Sequence, residues 1–227
     1  MLKDYIKNKQ KTYKDFYTKS GIKVFINTKI EFDIDIQKAI AHVENKIPSV
    51  LRSEIEMILI GDLKDFDERE ISAFYEDGCI YIDPRSIEAG LDMLDLVEQV
   101  IHEIAHSVEG AYGELIYGDS EIQNEFLRKR KYLHDILWKM GHKTQENFFL
   151  DLDYSEEFDN YIHDTVGYNK LHGVLVGIFL FPYAVTSLRE YFATGFSEYF
   201  MNPDDHDFFK QTCPVLYKKI RMLHELE

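Results

Sequence analysis

The sequence predicts an α+β fold with a mixed sheet. Three observations predict it. Short strand-like runs gather in the first third, helix-period patterns fill most of the rest, and an Asp-Gly pair between two apolar runs marks a hairpin. The length of 227 residues suits one domain, or one domain with a large insertion. A single domain over 1–227 is expected, with 113–170 as a helical insertion within it. Hydrophobic residues make up 45%, enough for a core, while 12 Gly and 5 Pro are too few for a linker-rich chain.

The elements follow in order. Residues 1–20 are polar and rich in Lys and Tyr, and are expected to form a peripheral helix. Val24-Phe25-Ile26 reads as a short strand. From Ile34 to Ile47 a helix places Ile36, Ile40, Val43 and Ile47 on one face, with Pro48 just past its end. Ile55–Ile60 is a second strand, and its unbroken run Met57-Ile58-Leu59-Ile60 suits a sheet centre. Strand, helix, strand at this spacing predicts a parallel pair. Ile71–Tyr75 and Cys79–Ile82 then flank Glu76-Asp77-Gly78, where the turn needs positive φ.

A helix is predicted from Asp92 to Glu109, with Leu94, Val97, Ile101, Ile104 and Val108 as its buried stripe. Asp92 with Asp95 fits its N-terminal cap, and Gly110 its stop. Further on, Ile122, Phe126, Leu133, Ile136, Leu137 and Met140 outline one long amphipathic helix. Shorter helices are expected at 155–166, 187–201 and 214–226, with Phe208, Phe209, Leu216, Ile220 and Leu223 in the core.

Composition narrows the function. A formal charge of −15 argues against binding nucleic acid through phosphates and against an anionic membrane surface. Cys79 and Cys213 lack metal or redox spacing and read as reduced, buried thiols. The first nine residues contain no apolar run, so no secretory signal is read. The expected location is cytoplasmic, or secreted or injected if a leader has been removed. The longest apolar stretch, 174–185, is 12 residues, too short to span a bilayer.

His102-Glu103-Ile104-Ala105-His106 carries the chemistry. Histidines four apart on a helix share a face and can bind one Zn²⁺, and the Glu beside the first can take a proton from water. Chance alone gives this pattern about 0.03 times in such a chain, so its place inside a strongly patterned helix adds weight. A catalytic zinc also needs a third protein ligand. Glu109, Glu114, Glu190, Glu198, His142, His163 and His172 are the downstream candidates. Glu109 is disfavoured because it would coordinate from the same helix. Glu190 opens the helix 188–201 and is followed on its own face by the small residues Ala193, Thr194 and Ser197. It also completes a capping box with Ser187, and the residues alone leave ligand and cap equally open.

The segment Arg189-Glu190-Tyr191-Phe192-Ala193-Thr194-Gly195-Phe196, with H-E-I-A-H upstream and Tyr183 seven residues before Glu190, resembles the metallopeptidase family of anthrax lethal factor and the small secreted Pro-Pro endopeptidases. The resemblance spans about residues 75–217 and is sharp at the two motif segments. It implies a zincin-like domain in which His102, His106 and Glu190 hold Zn²⁺. It also implies Glu103 as the base and Tyr183 as a donor that assists the transition state. Thr194 stands where lethal factor has a second Glu, and the 84 residues from His106 to Glu190 imply the insertion.

The expected function is therefore zinc-dependent metalloendopeptidase, with a peptide or protein as substrate. The alternative is a zincin-fold binding or structural module that no longer cleaves, such as a phage or toxin component. The intact five-residue constellation argues against that alternative. Ala73-Phe74-Tyr75 or its hairpin partner is the expected sheet edge for an added peptide strand. Glu98 and Asp95 read first as a solvated helix face and, as the alternative, as carboxylates that orient a histidine, and Lys129-Arg130-Lys131 reads as a basic helix face.

Overall fold

A computed structural model describes residues 13–28, 33–204 and 206–226. The chain divides into two compact units, 1–111 and 112–227. Its mixture of helix with a mixed sheet is the predicted α+β class.

In the first unit, Tyr13–Tyr17 (β1) pairs antiparallel with Lys23–Asn27 (β2). The helix expected over residues 1–20 is corrected here: 13–17 is a strand, and 1–12 lie outside the described residues. The physical reason is pairing across the sheet. Tyr13, Phe16 and Tyr17 have helical spacing, but aromatics also favour strands, all five residues pair with β2, and Gly21, at φ +92°, closes the turn into it.

Ile36–Lys46 (α1) then crosses to Met57–Gly61 (β3), which runs parallel to β2 as predicted. The Asp35 carboxylate accepts the Lys38 N–H at 3.1 Å and starts α1. Lys64–Arg69 (α2) leads to the hairpin Ala73–Glu76 (β4) and Cys79–Ile82 (β5). Asp77 at φ +45° and Gly78 at φ +80° make its turn, the left-handed pair a two-residue hairpin requires.

The strand order is β1-β2-β3-β5-β4, so β3 is central. Two cross-strand rows, Val24-Ile58-Ile80 and Ile26-Ile60-Ile82, are buried on one face. On the other, Phe74 stacks on Tyr81 at 4.6 Å and meets Phe66 of α2 edge-on. β4 is an edge strand and β5 is paired on both sides. An added strand could therefore join at Ala73–Tyr75 but not at its hairpin partner.

Pro84–Glu88 (α3) precedes the long helix Met93–Tyr117 (α4). Asp92 and Asp95 cap α4 reciprocally: Asp92 Oδ1 accepts the Asp95 N–H at 3.0 Å, and Asp95 Oδ2 accepts the Asp92 N–H at 2.9 Å. Leu94 is 49% exposed, against expectation, and Leu96 and Val100 join Val97, Ile101, Ile104, Ala105 and Val108 in the buried stripe. Gly110 does not stop the helix. It keeps a helical backbone with open space around it, and the break comes at Tyr112 (φ −121°, ψ 19°), where the two units divide.

The second unit is helical. Glu121–Lys139 (α5) buries Ile122, Phe126, Leu133 and Leu137, while Met140 lies beyond its end and is 49% exposed. The helix expected at 155–166 is α-helical only over Glu156–Asn160 (α6), capped by Ser155. It widens to a π-helix at Tyr161–Gly167 and resumes as Tyr168–Leu175 (α7). Gly167, at φ +85°, marks the change of pitch. Leu188–Met201 (α8), Asp207–Thr212 (α9) and Pro214–His224 (α10) follow. Phe209, Leu216, Ile220 and Leu223 are buried as expected, but Phe208 is 48% exposed, about 100° round the short α9 from the buried Phe209. Cys79 and Cys213 are free and buried.

Lys129, Arg130 and Lys131 do not form one basic face. Consecutive helical residues point about 100° apart, and these three diverge accordingly. Lys129 donates to the Ile178 and Thr212 carbonyls, Arg130 is buried, and Lys131 pairs with Glu146 at the surface.

Glu125 joins three helices of this unit. Its buried carboxylate accepts the Tyr191 hydroxyl of α8 at 2.8 Å and the Val215 and Leu216 N–H groups of α10 at 2.9 and 3.0 Å. Gly195 of α8 sits where a Cβ would lie 2.4 Å from the Leu216 side chain, so only glycine allows this approach to α10. Replacing Glu125 with Ala strands one hydroxyl and two backbone N–H groups. Urea unfolding of Glu125→Ala should show a loss of about 3 kcal/mol or more. A loss below about 1 kcal/mol would mean that the carboxylate does not organise the helices.

Candidate metal centre

His102 and His106 stand one turn apart on α4, beside the buried stripe and not within it. Ile101, Ile104 and Ala105 take the core, while both imidazoles are half-buried. Their rings lie 5.1 Å apart, edge to face. The i, i+4 spacing produces this arrangement directly, because such residues share a helical face. Glu103 is 6% exposed, an unusual degree of burial for a carboxylate.

His106 has a partner that the sequence reading assigned to no such role. Its Nδ1 lies 2.9 Å from Glu109 Oε2, one turn further along α4. That contact engages one of the two ring nitrogens. It is the arrangement by which a carboxylate fixes the tautomer of a metal-ligating histidine. Asp95 is instead engaged in the α4 cap, and Glu98 is exposed. The i, i+3 spacing of His106 and Glu109 was the signal in the sequence that could have found the pair.

Glu190 is the third residue of α8. The Ser187 hydroxyl accepts its backbone N–H at 3.1 Å, so the helix is capped by Ser187 as the S-x-x-E pattern predicts. This cap uses the main chain of Glu190 and not its carboxylate. The Leu188 N–H also bonds the Leu152 carbonyl at 2.8 Å, which holds the start of α8 against that loop. Tyr191, next in sequence, is buried and tied to Glu125.

One ligand atom from each of His102, His106 and Glu190 lies within 4.8 Å of the others. Two imidazole nitrogens with one carboxylate oxygen are a donor set that suits a divalent ion such as zinc. Of the downstream candidates, Glu190 is the one gathered with the two histidines among the described residues.

Tyr183 begins the 3-10 turn Tyr183–Val185, directly after Pro182. Its carbonyl accepts from the Thr186 N–H at 3.1 Å and the Thr186 hydroxyl at 2.8 Å, which fixes the turn. The residue keeps 40% exposure, so it is not the core tyrosine its apolar surroundings in sequence would suggest. Burial around its hydroxyl raises the phenol pKa well above the ordinary value, and the nearby negative charges of Glu190 and Asp159 add to the rise. The group stays protonated through the whole neutral range, as a hydrogen-bond donor must.

Comparison with protein-family models, with curated proteins and with solved structures returned no match to this chain.

Proposed function

We propose that the protein is a zinc metalloendopeptidase of zincin type. The observation that carries the reading is the gathering of His102, His106 and Glu190. The H-E-x-x-H helix, the buried Glu103 and the resemblance around Arg189–Phe196 support it.

In this reading His102, His106 and Glu190 would hold the ion, and Glu109, bonded to His106 Nδ1, fixes the tautomer in which Nε2 is the ligand nitrogen. The chemistry zinc supplies in such a donor set is Lewis acidity, which polarises a carbonyl and acidifies water toward neutral pH. Glu103 accepts the proton of the attacking water at its carboxylate and delivers it to the leaving amine. Tyr183 donates from its phenol to negative charge developing on the scissile peptide. A substrate strand adds along the free edge of β4. Gln99, on α4 three residues before His102, bonds Ser72 at the start of that strand at 2.8 Å. The strand edge is thus tied to the helix that carries the histidines.

The test is digestion of a peptide library, read by mass spectrometry. Cleavage should appear with the wild type, stop on chelation and return with added Zn²⁺. Glu103→Gln should stay folded and lose about 10²–10⁴ in kcat. Absence of cleavage by zinc-loaded wild type, or near-normal turnover by Glu103→Gln, would refute the mechanism.

Tyr183→Phe removes one oxygen and keeps the ring. It should leave the melting temperature and KM close to wild type and lower kcat by about 10²–10³. An unchanged kcat would assign Tyr183 to packing alone.

A further inference from the structure

Within the helical unit, one carboxylate gathers two phenols beside Glu190 and Tyr183. Tyr154 donates to Asp159 Oδ2 at 2.9 Å, and Tyr168 donates to Asp159 Oδ1 at 3.3 Å. Each oxygen of Asp159 thus holds one hydroxyl. Asp159 belongs to α6 and Tyr168 opens α7, nine positions on. Nine α-helical positions are two and a half turns and would put the two on opposite faces. The π-helix Tyr161–Gly167 and the positive φ of Gly167 change the pitch between them, and the two side chains meet. Tyr154 follows closely on Leu152, whose carbonyl accepts the Leu188 N–H two residues before Glu190.

Electrostatics tie this group to the candidate site. Burial raises the Tyr154 phenol to about 12, its hydrogen bond to Asp159 adds to the rise, and so do the charges of Asp159, Glu156 and Glu190. On Tyr183, burial comes first, and the charges of Glu190 and then Asp159 follow. The groups acting most on the three phenols are acids and other phenols, with no cation among them. No Lys, Arg or His pairs with Asp159 among the described residues. His163 lies edge-on to the Tyr168 ring at 5.1 Å, but its Nδ1 faces Asp164 at 2.7 Å.

Two phenol hydrogen bonds do not neutralise a carboxylate, and they leave about two of its four acceptor positions open. Asp159 is half-buried, and Tyr154 and Tyr183 are 54% and 40% exposed, so the group borders solvent on the Tyr183 side. This charge bears on the proposed reaction. Tyr183 meets negative charge developing on the scissile peptide, and a fixed negative charge nearby opposes that development. A cation on the substrate cancels the opposition, and tyrosine ring faces attract the same cation. We propose that Asp159, held by Tyr154 and Tyr168, selects substrates with a lysine or arginine next to the scissile bond. The inference rests on the zinc peptidase reading and names a substrate class for it. Asp159 is a specificity residue here, and Tyr154 and Tyr168 position it.

The experiment digests hexapeptides randomised at their central positions with the zinc-loaded whole protein, read by mass spectrometry. Wild type should prefer Lys or Arg beside the cut over uncharged Gln by about tenfold or more in kcat/KM. Asp159→Asn should abolish that preference and cleave the Gln peptides no more slowly than wild type, because the opposing charge is gone. Asp159→Lys should turn the preference toward Glu. If Asp159→Asn fails to fold, salt serves instead: raising it should weaken the wild-type preference for Lys and leave Gln cleavage unchanged. No preference in wild type, a preference kept in Asp159→Asn, or equal loss on Lys and Gln peptides would overturn the proposal. A metal-free arm separates this claim from the zinc mechanism. It measures fluorescence anisotropy of labelled hexapeptide pools with Lys or Gln fixed at the third position, on metal-free wild type and Asp159→Asn. Tighter binding of the Lys pool by wild type alone, without cleavage by the zinc-loaded protein, would refute the zinc mechanism and support charge selection by Asp159. Cleavage with no preference for Lys would do the reverse, and equal binding of both pools without cleavage would refute both.

Discussion

A buried carboxylate holds the helix that carries Glu190. Glu125 accepts from the hydroxyl of Tyr191, the residue beside Glu190, and from the first free N–H groups of α10. Backbone N–H groups at a helix start have no partner within their own helix, so a buried negative group there satisfies them and favours the helix dipole as well. One side chain thus fixes α5, α8 and α10 together. The cap at Ser187 and the Leu188–Leu152 hydrogen bond then fix where α8 begins. A side chain on the first turn of α8 inherits that rigidity, which a metal ligand requires and a surface glutamate does not.

The same division of labour holds on α4. Its apolar stripe satisfies the core without the histidines, and Glu109 orients one of them. Residues that pack and residues that could react are on different faces of one helix. The proposed centre therefore places little demand on the hydrophobic core, and substitutions at His102 or His106 are expected to act on metal binding more than on folding.

Much of this was legible in the sequence where a periodic or local rule applied. The parallel β2–β3 pair, the Asp77-Gly78 hairpin, the Asp92–Asp95 cap and the Ser187 cap each follow from spacing alone. The misreadings came where tertiary context overrides a local rule. Gly110 resembled a helix stop, but an exposed glycine can remain helical at modest cost, and the break falls two residues later at Tyr112. Residues 13–17 place their aromatics at helical spacing but were drawn into a strand by pairing with β2. The triplet Lys129-Arg130-Lys131 looked uniform in charge, yet its members face a pair of carbonyls, an aromatic cage and solvent. The sequence held no sign of the Arg130 cage, because Phe126, Phe149 and Phe158 meet only in the folded unit.

The central claim is that residues distant in sequence, two histidines of α4 and Glu190 of α8, hold one metal ion. Zinc titration of the metal-free protein, run beside Glu190→Ala, tests it most directly. The account predicts one Zn²⁺ per wild-type chain, bound with a rise in melting temperature that grows with zinc concentration. It predicts affinity at least about a hundredfold weaker in Glu190→Ala, with the metal-free variant still folded because its backbone cap remains. No zinc binding by the wild type, or the same affinity in the variant, would contradict it.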